Sequence, residues 1–212
     1  MKFLKLAGNN LERYPKETSQ ILRAGGIVLY PTDTLYALGV DAFSDVALKK
    51  LFAIKNRDAG KPVSALFADI EMAERYADID ERALTLAKAF LPGPLTLILK
   101  KKPGIETGVG RGFDTIGVRI PNHPFCLALV KEFGKPITAT SANKSGEEIK
   151  SSVEEILEQL GAAAKSLDLV IDAGVLAENK PSTVVDISIP KPRILREGAI
   201  PTDQIQKVLS NL

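Results

Sequence analysis

The chain has 212 residues, of which 45% are apolar and 25% charged, as is ordinary for a soluble globular protein of one large or two small domains. Lys and Arg total 28 against 26 Asp and Glu, so a nucleic-acid or phosphate role requires local clustering of basic groups. A single cysteine excludes an internal disulfide and a cysteine-based zinc site, and a single histidine leaves little from which to build a triad or metal cluster. The sequence shows no apolar stretch of about 18 residues and no signal peptide, so we expect no membrane span and a cytoplasmic location.

Helix-like and strand-like patterns alternate along the chain, without internal repeats or linkers. The patterns predict helices at 14–24, 44–55, 69–76, 80–90, 124–133 and 152–160, and a short helix from about 202. They predict strands at 27–30, 63–67, 95–100, 116–120, 137–140, 169–172, 183–187 and 194–196. Segment 103–114 has four glycines and no hydrophobic periodicity, which predicts a mobile loop. The alternation predicts an α/β fold in a single domain over 1–212, and the short, hairpin-sized links between the last three strands favour a mixed sheet. Cys126 lies in an apolar run and is predicted to belong to the core.

Segment 28–39 is the most informative stretch of the chain. An apolar strand stops at Pro31, and Thr32, Asp33 and Thr34 follow before apolar character returns and ends at Gly39. Proline removes a hydrogen-bond donor from a strand ladder, which favours the end of a strand at this point. Hydroxyls and a carboxylate directly after a buried strand suit a sheet edge that binds a small ligand. The alternative is an ordinary strand-to-loop turn in which Asp and Thr hold the backbone.

Polar side chains also collect at the ends of several other predicted strands. They are Thr115, Arg119, Thr138, Thr140, Ser141, Asn143, Ser182, Thr183 and Arg196. Arginines together with hydroxyls are the components of a phosphate or carboxylate site, because the guanidinium offers bidentate contacts and the hydroxyls complete the cradle. Each of these residues, taken alone, is also compatible with a structural role.

A second basic group, Lys55, Arg57 and Lys61, lies at and after the C-terminus of the predicted 44–55 helix. These cations either complement the helix dipole on a solvated turn or form a clamp for a triphosphate. The sequence has no Gly-x-x-x-x-Gly-Lys-Ser/Thr motif, and the glycines of 108–112 lack the spacing of a dinucleotide fingerprint. A nucleotide site in this chain is therefore of another type.

Seven short segments carry a resemblance to a known family. They are 30–39 (YPTDTLYALG), 55–57 with 61–62 (KNR and KP), 91–96 (LPGPLT), 117–121 (GVRIP), 140–143 (TSAN), 181–186 (PSTVVD) and 195–198 (LREG). In their order and spacing, over nearly the whole chain, they resemble the YrdC/TsaC-type threonylcarbamoyl-AMP synthases. No single segment is specific, whereas the combination is.

The resemblance implies that L-threonine, bicarbonate and ATP give threonylcarbamoyl-AMP and pyrophosphate, with Mg²⁺ carried on the ATP phosphates. Partner proteins would then transfer the threonylcarbamoyl group to an adenosine next to the anticodon of some tRNAs. The resemblance also implies a twisted mixed α/β sheet flanked by helices, a basic concave face, and binding of double-stranded RNA. Longer relatives carry an extra C-terminal domain, and this chain resembles the short, single-domain form.

The resemblance also implies a set of site residues. Threonine would contact Thr34, Arg119 and Ser182. ATP would contact Lys55, Arg57, Lys61, Thr115, Ser141, Asn143 and Arg196. No side chain is assigned to proton transfer, and Arg57, Lys61 and Arg119 would act by position and charge, because a threonine carbamate and ATP are both anions that must be held together. No metal ligand from the protein is implied.

The chain departs from the family pattern at four positions near the implied site. Leu66 stands where many members have a histidine, Ile149 and Lys150 replace a serine and a proline near the nucleotide, and Ala37 replaces a glycine. The YciO-like sister branch shares the sequence Tyr-Ala-Leu-Gly at 36–39. The retained residues that favour the synthase over that branch are Lys55, Arg57, Ser141 and Asn143.

The residues leave two other functions open. The same basic face would serve an RNA-binding module without catalysis, and the scaffold would also accommodate another nucleotidyl or carbamoyl transferase. Aromatic residues make up 6% of the chain, which argues against base stacking on single strands and leaves recognition of duplexes by shape. We expect either 108–112 or 143–151 to close over the nucleotide.

Overall fold

The computed structural model describes residues 1–6, 13–58, 60–177 and 180–210. Its helices are α1 (Arg13–Arg23), α2 (Asp45–Lys55), α3 (Ile70–Glu74), α4 (Glu81–Phe90), α5 (Pro124–Phe133), α6 (Val153–Leu160) and α7 (Thr202–Leu209). Its strands are β1 (Lys2–Lys5), β2 (Val28–Pro31), β3 (Tyr36–Gly39), β4 (Ser64–Leu66), β5 (Leu95–Lys100), β6 (Thr115–Arg119), β7 (Ile137–Ser141), β8 (Leu169–Asp172), β9 (Thr183–Asp186) and β10 (Arg193–Arg196). Short 3₁₀ segments span Gly108–Gly110 and Gly161–Ser166.

The ten strands of these residues form one twisted sheet, in the order β1-β8-β2-β3-β7-β4-β6-β5-β9-β10. The pairs β1/β8, β8/β2, β4/β6 and β5/β9 are parallel. The pairs β2/β3, β3/β7, β7/β4, β6/β5 and β9/β10 are antiparallel. The prediction of a mixed α/β sheet flanked by helices is confirmed.

The core lies against the middle of this sheet. Every residue of β2 and β3 is buried, which explains why both strands read as continuous apolar runs rather than as alternating patterns. Outside the sheet, α1 packs against α5 and α4 packs against α7. Cys126 of α5 is fully buried, as predicted, and its thiol donates to the main-chain oxygen of Pro31 at 3.1 Å. This burial raises the pKa of the thiol, as expected for a cysteine that packs in the core.

Side-chain caps start four helices, because their first N–H groups have no partner inside the helix. Ser44, Asp69 and Asp80 each accept the N–H three residues later, at the starts of α2, α3 and α4. At the start of α6, Ser152 and Glu155 form a capping box. Helix α2 begins after the Ser44 cap and ends at Lys55, which contacts the end of β7 near the site described below.

Three differences from the sequence-based prediction concern the strands. The strand β1 was not predicted, because its two lysines suit a sheet edge and hide its periodicity. The strand β3 was also missed, although it forms a hairpin with β2 around the Thr-Asp-Thr turn. The short link between β8 and β9 does not make a hairpin. These two strands lie near opposite edges of the sheet, and only β9 and β10 pair in this way.

The predicted loop at 103–114 contains regular structure. Gly108–Gly110 forms a buried 3₁₀ turn, and the N–H of Gly108 donates to the carboxylate of Asp45 at 2.8 Å. Arg111 also binds Asp45, through its Nε at 3.0 Å. The segment is therefore attached to the first turn of α2. Among the helices of the described residues, none has both the length and the apolar character of a membrane-spanning segment.

Candidate active site

A polar cavity of about 200 Å³ opens where several strand ends meet. Thr34 reaches it from the turn after β2, and Arg119, Ser141 and Arg196 reach it from the last residues of β6, β7 and β10. Ser182 lines it from the position just before β9, and Arg57 lines it from the turn after α2. Six of the ten predicted site residues therefore share one cavity.

The Thr-Asp-Thr turn holds its own backbone and also borders the cavity. The hydroxyl of Thr32 accepts the N–H groups of Thr34 and Leu35, each at 3.1 Å, and donates to the oxygen of Leu35 at 2.7 Å. This hydroxyl holds the backbone of the hairpin, as in other Thr-stabilised turns. The next hydroxyl, that of Thr34, lies against the cavity.

The Arg119 side chain is held in place by two hydrogen-bond acceptors. Its Nη2 donates to Asp33 Oδ1 and to Thr34 Oγ1, at 2.6 Å in both cases. The second carboxylate oxygen of Asp33 accepts the N–H of Asn122 at 3.0 Å. The Nε of Arg119 is buried and has no hydrogen-bond partner within the described residues. A buried donor of this kind is a natural contact for an anionic ligand, because leaving it unpaired is costly.

Ser182 and Arg196 form the opposite side of the cavity. The Ser182 hydroxyl lies 2.9 Å from the hydroxyl of Thr96, and Arg196 donates to the main-chain oxygen of Ser182 through Nη2 at 2.8 Å and Nε at 3.1 Å. Burial lowers the pKa of Arg196, and the charge of Arg119 lowers it further. The two guanidinium groups are therefore close enough to repel each other, which a bound anion would relieve.

Arg57 is the third cation of the cavity. Its Nη2 donates to the main-chain oxygen of Pro62 at 2.8 Å, and its Nε is buried without a partner in the described part of the chain. Burial lowers the pKa of this guanidinium, which is half-buried. The described lining residues include no carboxylate, imidazole or thiol. The chemistry of the cavity therefore rests on cations and oriented hydrogen-bond donors, which suit carboxylate and phosphate groups.

Lys55 and Asn143, which were predicted to contact ATP, do not line the cavity, and their contact with ATP stays a prediction. The Lys55 side chain is only 1% exposed. Its Nζ donates to the main-chain oxygens of Ser141 and Asn143 and to the side-chain oxygen of Asn143. Burial, followed by the charge of Arg57, lowers the pKa of Lys55 to about 7. The ammonium is already surrounded by acceptors, so it organises the loop after β7 and has no donor to spare for a ligand.

Lys61 and Thr115 also lie outside the cavity. Lys61 borders a separate, mainly apolar pocket between α2 and the Gly108–Gly110 segment. Thr115 opens β6 at the end opposite Arg119 and pairs with Lys100 across the sheet. The structure does not bring these two residues together with the other predicted ATP contacts, and their assignment stays a prediction.

Sequence reasoning assigned no role to Thr96, although its hydroxyl holds Ser182 and it lines the cavity. Its signal was present, because Thr96 closes the LPGPLT segment that resembles the family. Of the four departures, Ala37 and Ile149 line the cavity. Leu66 is fully buried beside Arg119 in the paired strands, and Lys150 pairs with Glu148.

The chain is similar to known proteins over most of its length. A family model named Sua5_yciO_yrdC, with the description "Telomere recombination", matches residues 20–198. A Methanocaldococcus jannaschii protein with the provisional name threonylcarbamoyl-AMP synthase is 41% identical over 184 residues, which are 86% of this chain and 84% of the relative.

Solved structures agree with this match. Pyrococcus abyssi Sua5 complexed with L-threonine has a TM-score of 0.87 at 33% identity, covering all of this chain and 61% of that one. Escherichia coli YciO has a TM-score of 0.82 at 30% identity, covering 96% of this chain and 98% of that one. The family model alone covers well over half of the chain. The chain therefore belongs to the Sua5/YciO/YrdC family.

Proposed function

We propose that this chain is an L-threonylcarbamoyladenylate synthase, which forms threonylcarbamoyl-AMP and pyrophosphate from L-threonine, bicarbonate and ATP. The observation that carries the proposal is the convergence of Arg57, Arg119 and Arg196 on one cavity that also presents the hydroxyls of Thr34 and Ser182. Relatives named threonylcarbamoyl-AMP synthase, and a similar structure solved with L-threonine, support an enzyme rather than a binding module.

The threonine subsite is built around Arg119. Its guanidinium would take the amino-acid carboxylate, because Arg119 is the cavity cation fixed between two acceptors with a buried donor left over. The hydroxyls of Thr34 and Ser182 would complete this subsite. Ser182 is held in place by Thr96 and by Arg196. The subsite thus selects a small amino acid with a hydrogen-bonding side chain.

The nucleotide subsite would use Arg57, Arg196 and Ser141, which line the remainder of the cavity. In the reaction, an oxygen of the threonine carbamate attacks the α-phosphorus of ATP, and pyrophosphate leaves. Both reactants are anionic, so the arginines serve mainly to hold like charges together and in line. Within the described residues no group of three or more His, Cys, Asp or Glu side chains is placed to hold a metal. We further propose that Mg²⁺ binds together with ATP through the ATP phosphates, an arrangement that needs few protein ligands.

The product would be consumed in tRNA modification. Partner proteins would transfer the threonylcarbamoyl group to an adenosine next to the anticodon, in the cytoplasm. Binding of tRNA or another RNA duplex belongs to this proposal, as does the basic concave face on which such a duplex would lie. Weakening of duplex binding with rising salt would test that part, because phosphate contacts release counterions.

Pyrophosphate release tests the proposal directly. Purified protein is incubated with ATP, Mg²⁺ and bicarbonate, with L-threonine either present or omitted, and with the Arg57→Ala variant as a matched control. Threonine-dependent release that the variant lacks is the expected result. No release from a folded protein that still binds duplex RNA would contradict the synthase and favour a non-catalytic, YciO-like binding protein.

A further inference from the structure

The three cavity arginines differ in their counterions. Within the described residues, Arg119 is the cavity arginine with a carboxylate inside salt-bridge distance, and that carboxylate is Asp33 at 2.6 Å. Arg57 binds the main-chain oxygen of Pro62, and Arg196 binds oxygens of Ser182. The charge of Arg119 is thus largely neutralised by Asp33, whereas Arg57 and Arg196 have no carboxylate partner among the described residues.

Asp33 acts on the cavity without lining it. Its side chain is 9% exposed, and the Arg119 side chain is 10% exposed. One carboxylate oxygen accepts from Arg119 and the other accepts the N–H of Asn122, so both oxygens are engaged. These contacts join the turn after β2 to the segment after β6. Asp33 therefore acts on a ligand by holding Arg119 in place and through its own negative charge, without contacting the ligand.

A partner charge behind an arginine changes which anions that arginine binds. A carboxylate carries one negative charge, whereas inorganic phosphate and the terminal phosphate of ATP carry about 1.5 to 2 near neutral pH, so a fixed carboxylate repels such a phosphate up to about twice as strongly at the same distance. The hydrogen bonds that the guanidinium offers are the same for both ligands. A carboxylate paired with an arginine therefore weakens the binding of a phosphate to that arginine more than the binding of an amino-acid carboxylate.

We propose that Asp33 is a specificity-determining positioning residue, which reserves Arg119 for the carboxylate of the amino acid and keeps phosphate groups of ATP and pyrophosphate out of that subsite. The proposal rests on the proposed function, because it assigns the two substrates to two parts of one cavity. Arg57 and Arg196, which have no such counterion in the described residues, remain attractive to phosphates.

The test measures binding rather than turnover. Isothermal titration gives the Kd of L-threonine without and with a fixed concentration of inorganic phosphate, with chloride matching the ionic strength. The proteins are the wild type, Asp33→Asn, Asp33→Ser and Thr34→Val. The Asn variant keeps an acceptor for the N–H of Asn122 and removes the charge. The Val variant removes the other acceptor of Arg119 Nη2 and leaves the charge in place.

We expect phosphate to compete with threonine for Asp33→Asn and Asp33→Ser. Phosphate should raise the apparent Kd of threonine at least about tenfold more in these variants than in the wild type. The size follows from the effect of a neighbouring opposite charge, which shifts a pKa by about one to three units, and one unit is a tenfold change in an equilibrium constant. Thr34→Val should bind threonine more weakly but show no new competition by phosphate. A merely structural role of Asp33 would weaken threonine binding without creating affinity for phosphate.

Two results would overturn this proposal alone. One is equal competition by phosphate in the wild type and in a folded Asp33 variant. The other is strong competition by phosphate in the wild type itself, a result that does not depend on whether the variants fold. Absence of threonine binding to the wild type would overturn both this proposal and the proposed function.

Discussion

The ammonium group of Lys55 lies 2.7 Å from the main-chain oxygen of Asn143 and 3.2 Å from its side-chain oxygen. The main-chain oxygen of Lys55 also accepts the N–H of Ser145 at 2.8 Å. Asn143 in turn donates to the oxygen of Glu147 at 2.6 Å. The last residue of α2 therefore holds the loop after β7, which follows Ser141 and leads to Ile149 at the cavity.

Lys55→Met should weaken ATP binding through this loop. The change leaves three buried oxygens without their donor, which costs about 1–3 kcal/mol of stability for each group that finds no water. We expect the KM for ATP to rise about tenfold, with a smaller change for threonine, because a tenfold change needs a loss of only about 1.4 kcal/mol. Lys50→Met, on the exposed side of α2, is the matched control and should change neither. Equal increases in the KM values for ATP and for threonine would show that the loop after β7 has no specific effect on ATP binding.

The stability of the wild type should depend on pH through Lys55. Burial lowers its pKa to about 7, whereas an exposed lysine titrates near about 10.4. Between these values the unfolded chain binds more protons than the folded protein, so the free energy of unfolding rises with pH through this group. Urea unfolding from about pH 7 to about pH 9 should show a steeper rise for the wild type than for Lys55→Met. Parallel curves would mean that the three oxygen acceptors keep the ammonium charged over this range.

Arg57→Ala and Arg119→Ala should both reduce pyrophosphate release by at least about a hundredfold, because each removes a cation from the site of like-charged reactants. They should differ in stability. Arg119→Ala leaves the Asp33 carboxylate buried without its cation, which costs about 3 kcal/mol, whereas Arg57→Ala removes a half-buried cation with one carbonyl partner and should cost about 1 kcal/mol or less. Denaturant unfolding measures this difference. Similar stabilities would show that Asp33 does not depend on Arg119.

Substrate binding should protect 143–151 from hydrogen exchange and leave the exchange of 108–112 unchanged. Ile149 lines the cavity and is 36% exposed, so the segment that carries it has room to close. Gly108 is tightly packed, because a Cβ at this position would lie 2.1 Å from the oxygen of Ala42, and its N–H is bound to Asp45. Exchange measured by mass spectrometry with and without ATP and threonine tests this choice. Protection confined to 108–112 would reverse the assignment of the lid.

The local chemistry of the chain was accessible from the sequence. Pro31 with the polar residues after it marked the end of β2, which borders the cavity. Ser44, Asp69 and Asp80 occupy cap positions as their residue types favour. The burial of Cys126 followed from its apolar neighbours. These features depend on residues within a few positions of one another, and their geometry is largely local.

The tertiary structure decided which of the polar residues act together. Lys55 and Lys61 are equally basic in sequence, yet Lys55 is buried against the loop after β7 and Lys61 borders another pocket. The pairing of Asp33 with Arg119 joins residues 86 positions apart, and it sets the charge that a ligand meets. Burial and counterions are long-range properties, because they depend on which strands become neighbours in the sheet. The sequence alone therefore determined the kinds of groups that the site contains, and the fold determined which of them face the ligand and with what charge.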